Sequence, residues 1–252
     1  MSQSDKVAIV TGGARGIGAG YAKALAREGF AVVVADLRDA SGVAEGIAAT
    51  GGRAMSLAVD VTSSASTQEM ADFTVEAFGR VDVLVNNAAA FGNLNAGPFE
   101  SIDSDEWDFC FDVNVKGIWQ CCKAAVPEMR KGGGGSIVNI SSMACVYGRP
   151  YFLHYSSAKG AVLGITRSLA RELGRDNIRV NAIAPVMTDT PGMRETVAGS
   201  IDKLKERTIK NQALRHPLEI EDQIGTMLYL AGEGSRYVTG QTLMVDGGTV
   251  FL

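Results

Sequence analysis

Histidine is nearly missing from this sequence, with two in 252 residues, and its four cysteines (Cys110, Cys121, Cys122 and Cys145) lack the paired spacing of a zinc site. There is no HExxH helix either, so no metal is expected. A chain of this length needs no disulfide scaffold to reach a core, and the thiols read as buried or idle. No run approaches the ~20 apolar residues of a membrane span, and the leading stretch before Val7 is too short and polar for a signal-peptide core. A cytoplasmic location with no membrane partner is expected. Basic clusters are missing too. The 24 Lys and Arg are interleaved with 28 Asp and Glu, for a net charge of −4, which speaks against a nucleic-acid partner. No linker rich in Pro, Gly or Ser divides the chain and no repeat is visible. The glycine run Gly132 to Gly135 reads as a tight reversal, so one domain over residues 1–252 is expected.

What is present is a rhythm. Short apolar runs alternate with helix-length amphipathic stretches, the pattern of βα units feeding a parallel sheet. The runs are Val7 to Thr11, Ala31 to Asp36, Ala54 to Asp60, Val81 to Asn87, Gly135 to Ser141, Ile178 to Pro185 and Gln241 to Gly248. Between them, helices are predicted around 17–29, 40–50, 64–78, 104–130, 155–174 and 219–232. The fold class is therefore α/β: a doubly wound, Rossmann-type, seven-stranded parallel sheet with helices on both faces. From Met187 to Gln212 the rhythm breaks into a polar, irregular stretch, read either as a surface loop with a short helix or as a substrate lid.

After the first run stands Thr11-Gly12-Gly13-Ala14-Arg15-Gly16-Ile17-Gly18, opening directly into a helix. Glycines there permit a left-handed turn and let backbone N–H groups approach a pyrophosphate at the helix's positive end. At the end of the second run Asp36 can accept hydrogen bonds from a ribose diol, and it would meet a 2′-phosphate as a like charge, so NAD is favoured over NADP. Arg15 and Arg38 weigh on the other side, as cations within reach of such a phosphate. Asp60 either caps the turn after the third run or reaches the adenine. Asn86 and Asn87 either tie strand ends together or touch the cofactor.

Tyr155-Ser156-Ser157-Ala158-Lys159 puts two functional side chains one helical turn apart, a weak signal alone in a chain with six tyrosines. With its partners it is strong. The glycine turn, Asp36, Asn86-Asn87-Ala88, Asn114, Asn139-Ile140-Ser141-Ser142 and Tyr155/Lys159 occur in order from about Lys6 to Gly248, and the chain resembles the short-chain dehydrogenase/reductase family over that span. The resemblance implies a catalytic set of Asn114, Ser142, Tyr155 and Lys159. It also implies a cofactor site of Gly12, Arg15, Gly16, Ile17, Gly18, Asp36, Leu37, Asp60, Val61, Asn87, Ala88, Tyr155, Lys159, Pro185, Thr188 and Thr190. A substrate pocket of Phe91, Ala144, Phe152 and Val186 is implied, as is a homotetramer built from the helices near 104–130 and 155–174 and the tail Thr249 to Leu252. Two positions depart from the family pattern: Ala89 stands where glycine is usual, and Val186 stands where glycine usually follows Pro185.

The chemistry fits the residue types. A carbonyl that receives a hydride becomes an alkoxide and needs a proton, which Tyr155 can give. The Lys159 ammonium and the positive nicotinamide of NAD⁺ are expected to draw the phenol from its usual value near ~10 towards neutrality. Ser142 would hold the substrate oxygen, and Asn114 would anchor a water linking Lys159 to solvent. His154 adjoins Tyr155 but faces another way on a helix, and Ser142 lacks the G-x-S-x-G elbow of a hydrolase. The expected function is hydride transfer between NAD(H) and a small hydrophobic or aromatic secondary alcohol/ketone. The alternatives are an NADPH-using 3-oxoacyl thioester reductase and, from another class, an inactive cofactor-binding regulator, which the intact Ser142, Tyr155 and Lys159 disfavour.

Overall fold

Strands buried on both faces must be apolar at nearly every position, and the computed structural model, which describes residues 6–196 and 201–251, buries the first, second, fourth, fifth and sixth apolar runs in this way and leaves the third and seventh as partly exposed edge strands. The seven runs form β1 (Val7–Thr11), β2 (Ala31–Asp36), β3 (Arg53–Ala58), β4 (Val83–Asn86), β5 (Gly135–Ile140), β6 (Ile178–Pro185) and β7 (Thr242–Val245). All pair in parallel in the order β3-β2-β1-β4-β5-β6-β7. Side-chain alternation splits each strand between two cores. Ile9, Val33, Leu84, Ile137 and Val180 face one layer of helices, while Ala8, Val10, Val32, Val34 and Ile183 face the other.

The helices are α1 (Gly16–Arg27), α2 (Ser41–Ala48), α3 (Ser64–Phe78), α4 (Ser104–Phe111), α5 (Gly117–Lys131), α6 (Ala144–Tyr147), α7 (Leu153–Leu173), α8 (Pro191–Thr196), α9 (Ile201–Asn211) and α10 (Ile220–Ala231). Local chemistry sets their ends. The Ser63 hydroxyl accepts from the Ser66 N–H at the start of α3, which stops at Gly79 with φ 82°. A reciprocal pair, Glu219 and Asp222, caps α10.

Two expectations need correction. The single helix expected over 104–130 is broken: a five-residue π-helical turn, Asp112–Lys116, separates α4 from α5. The polar stretch 187–212 holds two helices, α8 and α9, rather than a loop with one short helix. The leading residues 1–5 and Leu252 of the apolar tail lie outside the described residues. Among the described residues, no helix is long and apolar enough to cross a membrane.

Strand order reverses between β1 and β4, which opens a crevice beyond the carboxyl ends of the sheet. Beneath that crevice, side chains lace the strands to α7. Asn86 Nδ2 donates to Asn139 Oδ1 (2.9 Å), and Asn139 Nδ2 donates to the Thr166 hydroxyl (3.0 Å), all three residues being buried. Replacing Thr166 by the isosteric valine strands the Asn139 amide, at a cost of about 1–3 kcal/mol. Urea denaturation of Thr166→Val should show that loss, and an unchanged midpoint would contradict the network.

Candidate active site

One cleft of about 590 Å³ runs along the carboxyl ends of the strands. Gly12, Arg15, Gly16, Ile17, Asp36, Leu37, Asp60, Val61, Asn87, Ala88 and Thr190, which packs beside Gly16, line one end; Phe91, Ser142, Ala144, Tyr155, Lys159, Pro185, Val186 and Thr188 line the other. Gly18 sits behind the glycine turn rather than in the wall. A Cβ there would fall 2.2 Å from the Gly12 carbonyl oxygen and 2.5 Å from Asn87 Nδ2. Gly12 and Gly16 adopt φ of 65° and 57°, which side chains resist. The turn thus leaves the start of α1 bare of side chains, a cradle shaped for a pyrophosphate.

Asp36 is fixed by two backbone donors, the N–H groups of Ala14 and Arg38, both at 2.9 Å. Each carboxylate oxygen keeps a second lone pair for a ribose diol. Arg15 is tied off: its guanidinium holds Glu195 of α8 through two hydrogen bonds, Nη1 to Oε1 and Nη2 to Oε2, the second at 2.8 Å. Asp60 Oδ1 holds the turn after β3 through the Thr62 N–H (2.8 Å) and hydroxyl (2.7 Å), so the capping role is occupied while the residue still borders the cleft. The Asn87 amide donates to the carbonyls of Thr11 and Gly12, each at 3.0 Å, fastening β4 to the glycine turn. The Thr188 hydroxyl points inward, donating to Val186 O (3.2 Å) and accepting from Gln223 (2.9 Å); Thr190 Oγ1 accepts from the Met193 N–H (3.2 Å) at the start of α8. The residues present therefore fit a dinucleotide: an open anion cradle, a fixed carboxylate at the second strand, and small residues between.

At the other end, Tyr155 lies in the first turn of α7 and Lys159 one turn on. Lys159 is 2% exposed, and its ammonium donates to the Ile140 carbonyl (2.9 Å) at the end of β5. It lies 5.7 Å from the Tyr155 ring centre. The Ser141 hydroxyl donates back to the Lys159 carbonyl (2.8 Å), so strand end and helix hold each other in register. Ser142 follows directly and lines the cleft together with Tyr155, its hydroxyl accepting from the Ala144 N–H (3.1 Å).

Electrostatics here differ from expectation. Burial pushes the Tyr155 phenol up to about 12, against the lowering effects of the Ser142 hydrogen bond and the Arg149 charge. Burial likewise draws Lys159 down to about 8. Desolvation outweighs the neighbours in the protein alone: no carboxylate supports the Lys159 ammonium, and the Arg149 charge lowers the Tyr155 phenol by less than burial raises it.

Besides Gly18, two expected site residues lie outside the cleft wall. Phe152, expected to line the substrate pocket, is 3% exposed and stands one layer back, stacked on Phe91 with centroids 5.8 Å apart. Asn114 is fully buried in the π-helical turn, where Nδ2 donates to the carbonyls of Ala90 (3.0 Å) and Cys110 (2.9 Å), while Oδ1 has no partner. Phe91 itself packs on the Tyr155 ring (4.9 Å, 58°). His154 turns away from the cleft, its Nε2 3.0 Å from Glu106, whose other bonds run to Asn95. Val186 is buried against Met143, Ala184 and Leu218, and Ala89 borders the cofactor end. The four cysteines are free, and no group among the described residues can hold a metal.

Among the cleft residues that escaped the sequence reading, one carries a charge at the substrate end. Arg149 lies six residues before Tyr155 in a loop without periodicity, and its guanidinium carbon sits 4.2 Å over the Phe152 ring and 5.4 Å over Phe91. Nothing in the sequence distinguishes it from the chain's other arginines; only the fold carries it into the pocket.

Comparison with known proteins agrees with this geometry. A family model described as enoyl-(acyl carrier protein) reductase matches residues 12–250. The chain is 39% identical over 249 residues to a protein of Rhizobium meliloti named "Probable galactose dehydrogenase", covering 97% of this chain and 94% of that one. The chain belongs to the short-chain dehydrogenase/reductase family. It is also 35% identical to a 3-oxoacyl-[acyl-carrier-protein] reductase of Thermotoga maritima, over 99% of this chain and 100% of the other. A solved short-chain type dehydrogenase/reductase from Mycobacterium ulcerans superposes with a TM-score of 0.90 at 31% identity, over 99% of this chain and 91% of that one. The protein is thus an oxidoreductase that uses a nicotinamide dinucleotide. Gly18→Ala forces a methyl into the Gly12 carbonyl, and a fluorescence titration with NADH should show affinity weakened at least about tenfold. Wild-type affinity in that variant would contradict the packed turn.

Proposed function

We propose that the protein transfers a hydride between NAD(H) and a small hydrophobic or aromatic secondary alcohol/ketone, with Tyr155 as acid and base. The observation that carries this reading is Tyr155 in the wall of the cleft with Ser142, its ring set beside the buried Lys159 ammonium. The cofactor supplies or accepts the hydride. In reduction Tyr155 gives its proton to the carbonyl oxygen as the alcohol forms; in oxidation its phenolate takes the alcohol proton. Ser142 holds the substrate oxygen next to Tyr155. Lys159 keeps two of its three protons free of the Ile140 bond, to hold a ribose hydroxyl and restore the phenol's proton. Asn114 contributes its unpartnered Oδ1 as the acceptor for a water in that proton path, while its amide braces the π-helical turn.

Asp36, held by two backbone donors, supports NAD, and the pairing of Arg15 with Glu195 removes one of the two cations that would greet a 2′-phosphate. The names of the two relatives point to a sugar and to an acyl thioester, so the substrate reading rests on the chain's own wall: Phe91, Ala144 and Val186 beside Tyr155. Reduction of a 3-oxoacyl thioester with NADPH is the second reading, favoured by the Thermotoga maritima relative. The polar segment 187–212, which reaches the cleft through Thr190, Met193 and Glu195, is proposed as the cover of the substrate site. A homotetramer through α4, α5 and α7 is proposed as the assembly, and exposed Phe109 and Trp119 lie on two of these helices.

Three measurements test the reading. Tyr155→Phe should lower kcat by at least about a thousandfold while NADH affinity stays near wild type; comparable turnover would defeat the acid/base role. Asp36→Ala should narrow the ratio of kcat/KM for NAD over NADP by roughly tenfold or more, and an unchanged ratio would place the selectivity elsewhere. The base is the deprotonated phenol, so alcohol oxidation should rise with pH from neutral to alkaline while ketone reduction falls. A flat profile in both directions would contradict a titrating Tyr155.

A further inference from the structure

Arg149 is a cation placed in the substrate end of the cleft without a counter-charge. It borders the same space as Tyr155, Ala144 and Val186 and is only partly exposed. No ion pair among the described residues includes it, and the acidic groups at the cleft are engaged elsewhere: Glu195 with Arg15, Asp112 with Lys116, Asp36 with backbone N–H groups. Two aromatic faces, Phe152 at 4.2 Å and Phe91 at 5.4 Å, stack on the guanidinium carbon. Such stacking steadies a guanidinium but leaves its N–H fork unused at the edge of the plane.

The loop that carries Arg149 is built to hold it. Its own N–H donates to the Ala144 carbonyl (3.1 Å), and Pro150 restricts its backbone. Tyr151 adopts a left-handed φ of 65°, uncommon for an aromatic residue, and its carbonyl takes the Gly97 N–H at 3.1 Å. A second cation is near: the charges of both Arg149 and Arg207, on α9, act on the Tyr147 hydroxyl that borders the cleft. A partly desolvated cation costs free energy unless something compensates it, and in a site the compensation comes with the ligand.

We infer that the substrate is an anion: a secondary alcohol or ketone bearing a carboxylate about one ring's width from the reacting carbon, received by the Arg149 fork. The spacing follows from Phe91, whose ring packs on Tyr155 (4.9 Å) and also lies under the Arg149 guanidinium (5.4 Å). The apolar wall then contacts the body of the substrate and Arg149 its far end. This deepens the proposed dehydrogenase reading and rests on it for the position of the reacting carbon.

A matched pair of ketones tests it: 4-acetylbenzoate and its uncharged methyl ester, each offered to the enzyme–NADH complex, with kcat/KM and calorimetric binding both measured. Wild type should prefer the acid over the ester by at least about tenfold in both readouts. Arg149→Met, which keeps the apolar stem over the rings, should erase the preference, and Arg149→Lys should keep part of it. Because the readout is a ratio within each variant, partial loss of folded protein does not move it. An ester bound as well as the acid, no binding of the acid, or a preference that survives Arg149→Met would overturn the inference. Tyr155→Phe separates the two claims: it should stop reduction of both ketones yet leave the binding preference for the acid. Continued reduction there defeats the acid/base reading, whatever Arg149 does.

Discussion

A buried ammonium organises this site. Lys159 is almost fully enclosed, faces no carboxylate, and is held by a single protein hydrogen bond to the end of β5. Burying such a charge is unfavourable unless the surroundings repay it, and here the repayment is positional. The bond to Ile140 and the return bond from Ser141 lock the end of β5 to the second turn of α7. With that register set, Ser142 and Tyr155 meet across the gap between strand and helix, thirteen positions apart in sequence. Asn139, one residue before Ile140, continues the lacing to Asn86 on β4 and Thr166 on α7. The geometry of the candidate site is thus fixed where the end of β5, the short segment after it and α7 meet.

The same arrangement leaves the chemistry incomplete until the cofactor arrives. In the protein alone, burial keeps the Tyr155 phenol protonated, up at about 12. Under the proposed function, the phenolate that takes the alcohol proton would then form only with added positive charge beside the ring, coupling proton abstraction to the presence of the hydride acceptor. The dinucleotide end has a parallel economy. Arg15 from the glycine turn and Glu195 from α8 clasp across the mouth of the cleft, so the phosphate cradle and the polar segment after β6 are mechanically linked.

Much of this was legible in the residues. The seven strands could be read because parallel strands buried on both faces are apolar at consecutive positions, as Ala31 to Ala35 are. The glycine turn, Asp36 and the Tyr155/Lys159 pair carry their chemistry in their spacing. Other parts were hidden for definite reasons. The π-helical turn Asp112–Lys116 changes helical register within one apparently continuous amphipathic stretch, and period analysis averages over it. α9 is only weakly apolar and buries none of its residues, so its sequence resembles a solvated loop. Phe152 and Phe91 look equivalent as aromatic pocket residues, yet one backs the other. Arg149 was invisible because a loop arginine is ordinarily solvated; it stacks on Phe152, three residues on, and on Phe91, which the fold brings from the segment after β4.

The central claim is that the chain presents a buried phenol whose acidity is set by what lies beside it. It can be measured without turnover, by following phenolate absorbance against pH for wild type minus Tyr155→Phe, with and without saturating NAD⁺. The account predicts that the difference signal titrates far into the alkaline range in the protein alone and moves by several pH units towards neutrality when NAD⁺ is bound. A midpoint that NAD⁺ leaves in place would contradict it.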